Sequence, residues 1–223
     1  MKIRAEAIAP QPSELALLRK QVAAGESLHV EFKRKVAHPD KVVREIIAFA
    51  NTEGGTLFIG VEDDGTLPGV HYPEEEILEI RKALQRYALP RIALKAEILA
   101  LNKKKFVVRV IVEPHPQRPV FFVHPDGQRE CLIRHHDQTL KASFEMREII
   151  RRKKWKRDIH FSFGEPESKL FTYLAHHPGI TLQQFRHLVP LPVEAASSRL
   201  IKLVLANLLR ITPSEKGDVY TRV

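Results

Sequence analysis

The sequence predicts an α+β protein: a mixed-sheet lobe followed by a small winged helix-turn-helix domain. Three observations carry that prediction. Residues 13–143 alternate helical and strand periodicities. The last sixty residues carry three helical stretches and then a hairpin, the order of a winged helix. Between them the composition changes at RRKKWKR (151–157), which sets a boundary near 158–163. The chain thus divides into an arm (1–12), a lobe (13–157) and a terminal domain (158–223).

The arm holds two prolines and no periodic pattern. Ser13 suits an N-cap, and Leu15, Leu18 and Val22 form a helical stripe that stops at Gly25. SLHVEF (27–32) alternates, with Leu28, Val30 and Phe32 on one face of a strand. After His38-Pro39-Asp40 a second helix buries Val42, Val43, Ile46, Ile47 and Ala50. Glu53-Gly54-Gly55 turns the chain into TLFIGV, a continuous apolar run expected to be a central strand. Pro73 starts a third helix, with Ile77, Ile80 and Leu84 inward, that ends before Pro90. KAEILAL and FVVRVIVEP flank Asn102 and Lys103 to Lys105 as a hairpin, and PVFFV and QRECLIR flank His124 to Gly127 as another. Ser143 caps the helix SFEMREIIRRKKWK. In the terminal domain Glu165 to His176 is a helix with Leu170, Tyr173 and Leu174 inward, broken by Pro178-Gly179. Thr181 caps LQQFRHL, Val193 to Leu208 is the third helix, and LRITPS and VYTRV close the hairpin.

Composition excludes several classes. One cysteine, Cys131, allows neither an internal disulfide nor a multi-cysteine zinc site, and it sits in an apolar strand as a core thiol. No apolar run approaches the ~18 residues of a membrane span, and the start lacks a signal-peptide core, so a soluble cytoplasmic protein with no membrane partner is expected. The formal net charge is +9, and residues 1–157 hold 29 basic and 21 acidic side chains, net +8. A basic body favours polyanions, DNA or structured RNA first; a merely solvated surface is the other reading.

Candidate sites follow from charge and spacing. Glu26, Glu31, Glu62 and Asp63 are acidic residues at strand ends, and such carboxylates, when they converge, hold a hard divalent cation that activates water. Glu26 and Glu31 are five apart, so a continuous strand sends them to opposite faces. They converge only if Glu26 lies in the turn at Gly25. Lys33, Arg34 and Lys35 are placed to neutralise phosphate. Arg151, Arg152, Lys153, Lys154, Lys156 and Arg157 surround Trp155, a pattern that tracks phosphates while the ring stacks on a base; a solvated helix end is the alternative. The third terminal helix offers Glu194, Ser197, Ser198, Arg199 and Lys202, and the wing adds Arg210, Lys216 and Arg222. That face suits DNA reading or dimerisation. The adjacent pairs His135-His136 and His176-His177 point to opposite faces if they lie in strands and form no ligand spacing. EGGTLFIG lacks GxxxxGK and precedes a strand, so it is not a phosphate loop.

GESLHVEFKRK, then VREIIAFANTEGGTLFIGVEDDGTLPGV, then LIRHHDQTLKAS, resemble the Schlafen-type AlbA-2 domain over roughly residues 13–150. The resemblance implies association with nucleic acid. Many bacterial members are described as DNA-binding regulators with a C-terminal winged helix. It also implies a rival function, since animal Schlafens cleave transfer and ribosomal RNA. Carried over, their catalytic and metal-holding acids are Glu26, Glu31 and Glu62, with Asp63 as the other third acid, and Mn2+ or Mg2+ would be the cofactor. Three departures are visible. The third acid of the animal enzymes is aspartate, they join two lobes in one chain, and the family has a glycine where this chain continues LIR with His135-His136-Asp137. A homodimer would restore two lobes. A DNA-binding regulator, a metal-dependent endoribonuclease and a dimerisation module are thus the three expected functions, in that order.

Overall fold

The computed structural model describes residues 12–153, 162–214 and 217–223. The chain forms two compact units, Met1–Thr139 and Leu140–Val223.

In the first unit, α1 (Pro12–Ala23) begins before Ser13, which therefore lies inside the first turn rather than at the cap. β1 is Val30–Lys33, shorter than the strand the alternation predicts. The Ser27 N–H donates to the Val30 carbonyl at 2.9 Å and turns the chain back on itself. The reason is polar. Arg134 takes the Ser27 carbonyl at 2.8 Å, and the Glu26 carboxylate folds over to accept the Phe32 N–H at 2.8 Å. α2 (Pro39–Asn51), β2 (Gly55–Ile59) and α3 (Pro73–Tyr87) follow as the apolar patterns require, with proline in the first turn of α2 and of α3. A short β3 (Ala88–Leu89) precedes the hairpin β4 (Lys95–Asn102) and β5 (Lys105–Val112). β6 (Phe121–Val123) and β7 (Arg129–His135) form the second hairpin, and β8 (Gln138–Lys141) extends it.

The strands make two four-stranded sheets, β1-β2-β5-β4 and β3-β6-β7-β8. β1 runs parallel to β2, with Glu31 opposite Leu57, and β2 is central as expected. One face of the first sheet buries Phe32, Phe58, Leu99 and Val107 under Leu18 and Val22 of α1. The other buries Leu57, Ile59, Val108 and Val110 with α2. α2 also packs on β7 of the second sheet. Covered on two sides, it is buried at every residue from Ile46 to Asn51, as a helix apolar all round must be.

In the second unit Ser143 caps α4 (Phe144–Lys153), its hydroxyl accepting the Met146 N–H at 3.0 Å. α5 (Glu165–His176), β9 (Ile180–Thr181), α6 (Leu182–Leu188), α7 (Val193–Leu205), β10 (Leu209–Thr212) and β11 (Val219–Arg222) follow. Leu170, Phe185, Leu200, Leu203 and Tyr220 form the core, with Leu174 beside them and Tyr173 at its margin. Ile149 of α4 belongs to this core, and α4 packs on α7. The units therefore divide ahead of α4, not near 158–163 where the composition changes. α7 stops at Leu205 because Asn207 adopts a left-handed φ of 58°. Among the described residues no helix is long and apolar enough to cross a membrane.

Candidate functional site

Phe32 faces α1, so the strand period turns Glu31 and Lys33 to the α2 side of the sheet. Glu31 is buried there, and Lys33 hydrogen-bonds its carboxylate. Arg134, carried on β7 and itself 3% exposed, donates through Nη1 to Glu31 at 3.0 Å and to Glu45 of α2 at 2.9 Å. Thr139 closes the group by donating to Glu45. The Arg134 guanidinium also lies 4.9 Å from the centre of the Phe49 ring. Burial pushes the Glu31 carboxyl above its ordinary value, the Glu45 carboxylate pushes it further, and Lys33 offsets part of the rise. Glu26 adds a smaller push of the same sign, and its own carboxylate is taken up by the Phe32 N–H.

Glu62 does not join them. It lies five positions beyond Leu57, the register partner of Glu31, and pairs with Arg34 at 3.2 Å. Asp63 lines a separate groove of about 340 Å³ with Arg19, Ala23 and Asp64. As arranged, these acids do not fit a divalent cation. Glu26, Glu31 and Glu62 are each engaged by a donor of the chain, and the Arg134 charge stands where a metal would be repelled. Among the described residues no group of three His, Cys, Asp or Glu side chains is arranged to hold a metal.

Sequence reasoning missed Glu45 and Arg134. A signal was present: Glu45 is three residues after Val42 and four before Phe49, so an acid stands on the buried stripe of α2 and requires a partner. The motif residues around them are structural. Asn51 donates to the carbonyls of Val120 and Leu132 at 2.8 Å each and accepts the Val120 N–H at 2.7 Å, tying the end of α2 to the second sheet. Gly54 has φ 80°, and a Cβ on Gly55 would lie 2.4 Å from the Phe49 ring, so both glycines serve chain reversal and close packing.

The predicted phosphate contacts separate into three groups. Lys33 is committed to Glu31 and Arg34 to Glu62, while Lys35 is exposed. Arg151 and Arg152 both pair with Glu148, and Lys153 is exposed at the end of α4. Lys154, Trp155, Lys156, Arg157 and Lys216 lie outside the described residues. On α7, Ser197 is buried and donates to Glu145 at 2.5 Å, which removes it from the outer face. Arg199 is held at 2.5 Å by buried Glu167, leaving Glu194, Ser198 and Lys202. Ser198, Arg199, Lys202 and Glu167 line a groove of about 240 Å³. Arg210 and Arg222 are exposed on the hairpin.

The histidine pair also differs from expectation. The His135 and His136 rings lie 4.3 Å apart rather than on opposite faces. His136 is in the β7–β8 turn with φ 54°, the left-handed conformation that a glycine would supply. Burial, and then the neighbouring His136, lower the His135 pKa.

Residues 26–143 match the family described as Schlafen, AlbA_2. The DIP2311 protein from Corynebacterium diphtheriae is 16% identical with a TM-score of 0.46, covering 93% of this chain and 38% of its own. The N-terminal domain of an ATP-dependent DNA helicase RecG-related protein from Nitrosomonas europaea is 21% identical with a TM-score of 0.38, covering 50% of this chain and 77% of its own. The chain thus spans little more than a third of the length of the Corynebacterium protein.

Proposed function

The chain belongs to the Schlafen AlbA_2 family, and from that premise we propose that it binds nucleic acid and acts as a DNA-binding transcriptional regulator. The observation that carries this reading is the order of elements that follow α4 in the second unit. A helix, a short strand, two helices and a hairpin follow one another, and the short strand β9 pairs with the last strand β11. That is the order of a winged helix, with α7 in the place of the recognition helix. Glu194, Ser198 and Lys202 remain on its outer polar face, with Arg199 held by Glu167 beside them, and Arg210 and Arg222 supply the wing. The net charge of +9 supports a polyanion partner. The polar face of α7 is small, so a homodimer that doubles the footprint is part of the proposal.

The test is selection of duplexes from a random pool by the full chain, in chelator, beside Lys202→Ala. Enrichment of one sequence, lost in the variant, supports the regulator. No enrichment rejects it. Incubation with transfer RNA and Mn2+ or Mg2+ tests the rival. Cleavage that stops with chelator and in Glu31→Gln would make the protein an endoribonuclease, and would require Arg134 to release Glu31.

A further inference from the structure

A second polar constellation lies where α2, α3, β6 and β7 meet, built on side chains outside the Glu31–Arg134–Glu45 cluster. Tyr87, the last residue of α3, stacks on Phe122 of β6 at 5.1 Å between centroids and 12° between planes. A guanidinium flanks each ring: Arg86 lies 5.2 Å from the centre of Tyr87 and Arg44 4.8 Å from that of Phe122. His124 meets Phe122 edge-on at 5.0 Å. Glu130 fixes the inner end by accepting from Arg44 at 2.6 Å and His124 at 2.9 Å. Burial pushes the Glu130 carboxyl up, but these two hydrogen bonds outweigh it and hold the carboxyl at about 2.

The outer end is different. Arg86 is exposed and makes no ion pair among the described residues, and its guanidinium lies over the Tyr87 ring. Lys41, one helical turn before Arg44, is likewise exposed and without an ion pair among the described residues. An exposed guanidinium backed by an aromatic ring takes an unpaired base on its plane and phosphates on the neighbouring charges. A duplex hides its base faces and cannot stack on it. We propose that the Arg86–Tyr87–Phe122–Arg44 stack is a contact site for single-stranded nucleic acid. One base lies on Arg86, and Lys41 meets the strand backbone. This rests on the reading of the chain as a nucleic-acid-binding protein and assigns it a second surface, outside the winged helix.

The experiment uses the full chain and a fluorescently labelled single strand carrying one 2-aminopurine, beside the same sequence as a duplex, over a range of salt. Wild type binds the single strand and quenches the 2-aminopurine. Arg86→Ala weakens that binding about tenfold and lowers the salt slope by about one. Arg86→Lys restores the slope but not the quenching, because it returns the charge without the plane. Lys41→Ala lowers the slope and keeps the quenching. Thermal melts unchanged from wild type show that each variant is folded. If wild type binds and Arg86→Ala binds equally well, the site is rejected and the nucleic-acid reading stands. Binding to duplex alone likewise rejects the site and leaves that reading standing. Binding to neither strand form rejects both.

Discussion

Glu31 and Glu130 both stand on β-strands of the first unit and both accept hydrogen bonds from an arginine, yet their carboxyls are driven in opposite directions. The Glu31 side chain is 7% exposed, beside a second carboxylate, and its pKa is raised. The Glu130 side chain is 18% exposed, holds two donors, and its pKa falls to about 2. Pairing with arginine does not set the sign by itself. What decides is whether the donors repay the loss of water, and at Glu31 burial and the neighbouring Glu45 carboxylate outweigh Lys33. The two clusters also have different uses. The Arg134 cluster is closed and ties strand, helix and hairpin together, whereas the Arg44 cluster leads to Arg86 at the surface.

The contrast is broken most forcefully at Arg134. Arg134→Ala leaves Glu31 and Glu45 buried without their shared cation and is expected to cost about 3–5 kcal/mol in denaturant unfolding. Arg44→Ala, at a half-exposed pair, is expected to cost about 1 kcal/mol. Equal losses would show that burial does not separate the two clusters.

The pH dependence sharpens the same contrast. The raised carboxyl of Glu31 favours its protonated form in the fold. Its contribution is full below the ordinary carboxylate range and is lost as pH rises through the higher folded value. Glu130 works the other way: its contribution is present above 4.5 and is lost as pH falls from there towards about 2. Relative to wild type, Glu31→Gln therefore gains stability as pH rises, while Glu130→Gln gains as pH falls. Melts below pH 4.5 check the Glu130 slope and melts above it the Glu31 slope, and slopes of one sign would refute the assignment. The smallest effect is expected at the turn of the hairpin that carries Arg134. His136→Gly relieves a left-handed side-chain residue and is expected to stabilise by about 0.5 kcal/mol, the strain relieved exceeding the added freedom of glycine.

Much of the fold is legible in the sequence because its cause is local. α5 and α6 stand where caps, breakers and apolar spacing put them, and the Thr181 hydroxyl accepts the Gln184 N–H as its position predicts. β1 is shorter than its pattern because SLHVEF alternates like a strand, while Arg134, more than a hundred residues away, holds Ser27 in a turn. The boundary departs from 158–163 for a related reason. Composition follows charge, but α4 belongs to the unit with which Ile149 packs.

The sequence by itself determined the α+β class, the longer elements and their order, the basic character and the family, since each depends on residue type and short-range spacing, whereas the short strands β3, β8 and β9 were not legible in it. Only the tertiary structure decided which carboxylates meet. Glu26 turned back onto the Phe32 N–H, Glu62 stayed with Arg34, and Glu45 and Arg134 reached Glu31 from another helix and another sheet. A buried charge must find a partner wherever the fold brings one, and that partner's place in the chain leaves no mark on local pattern.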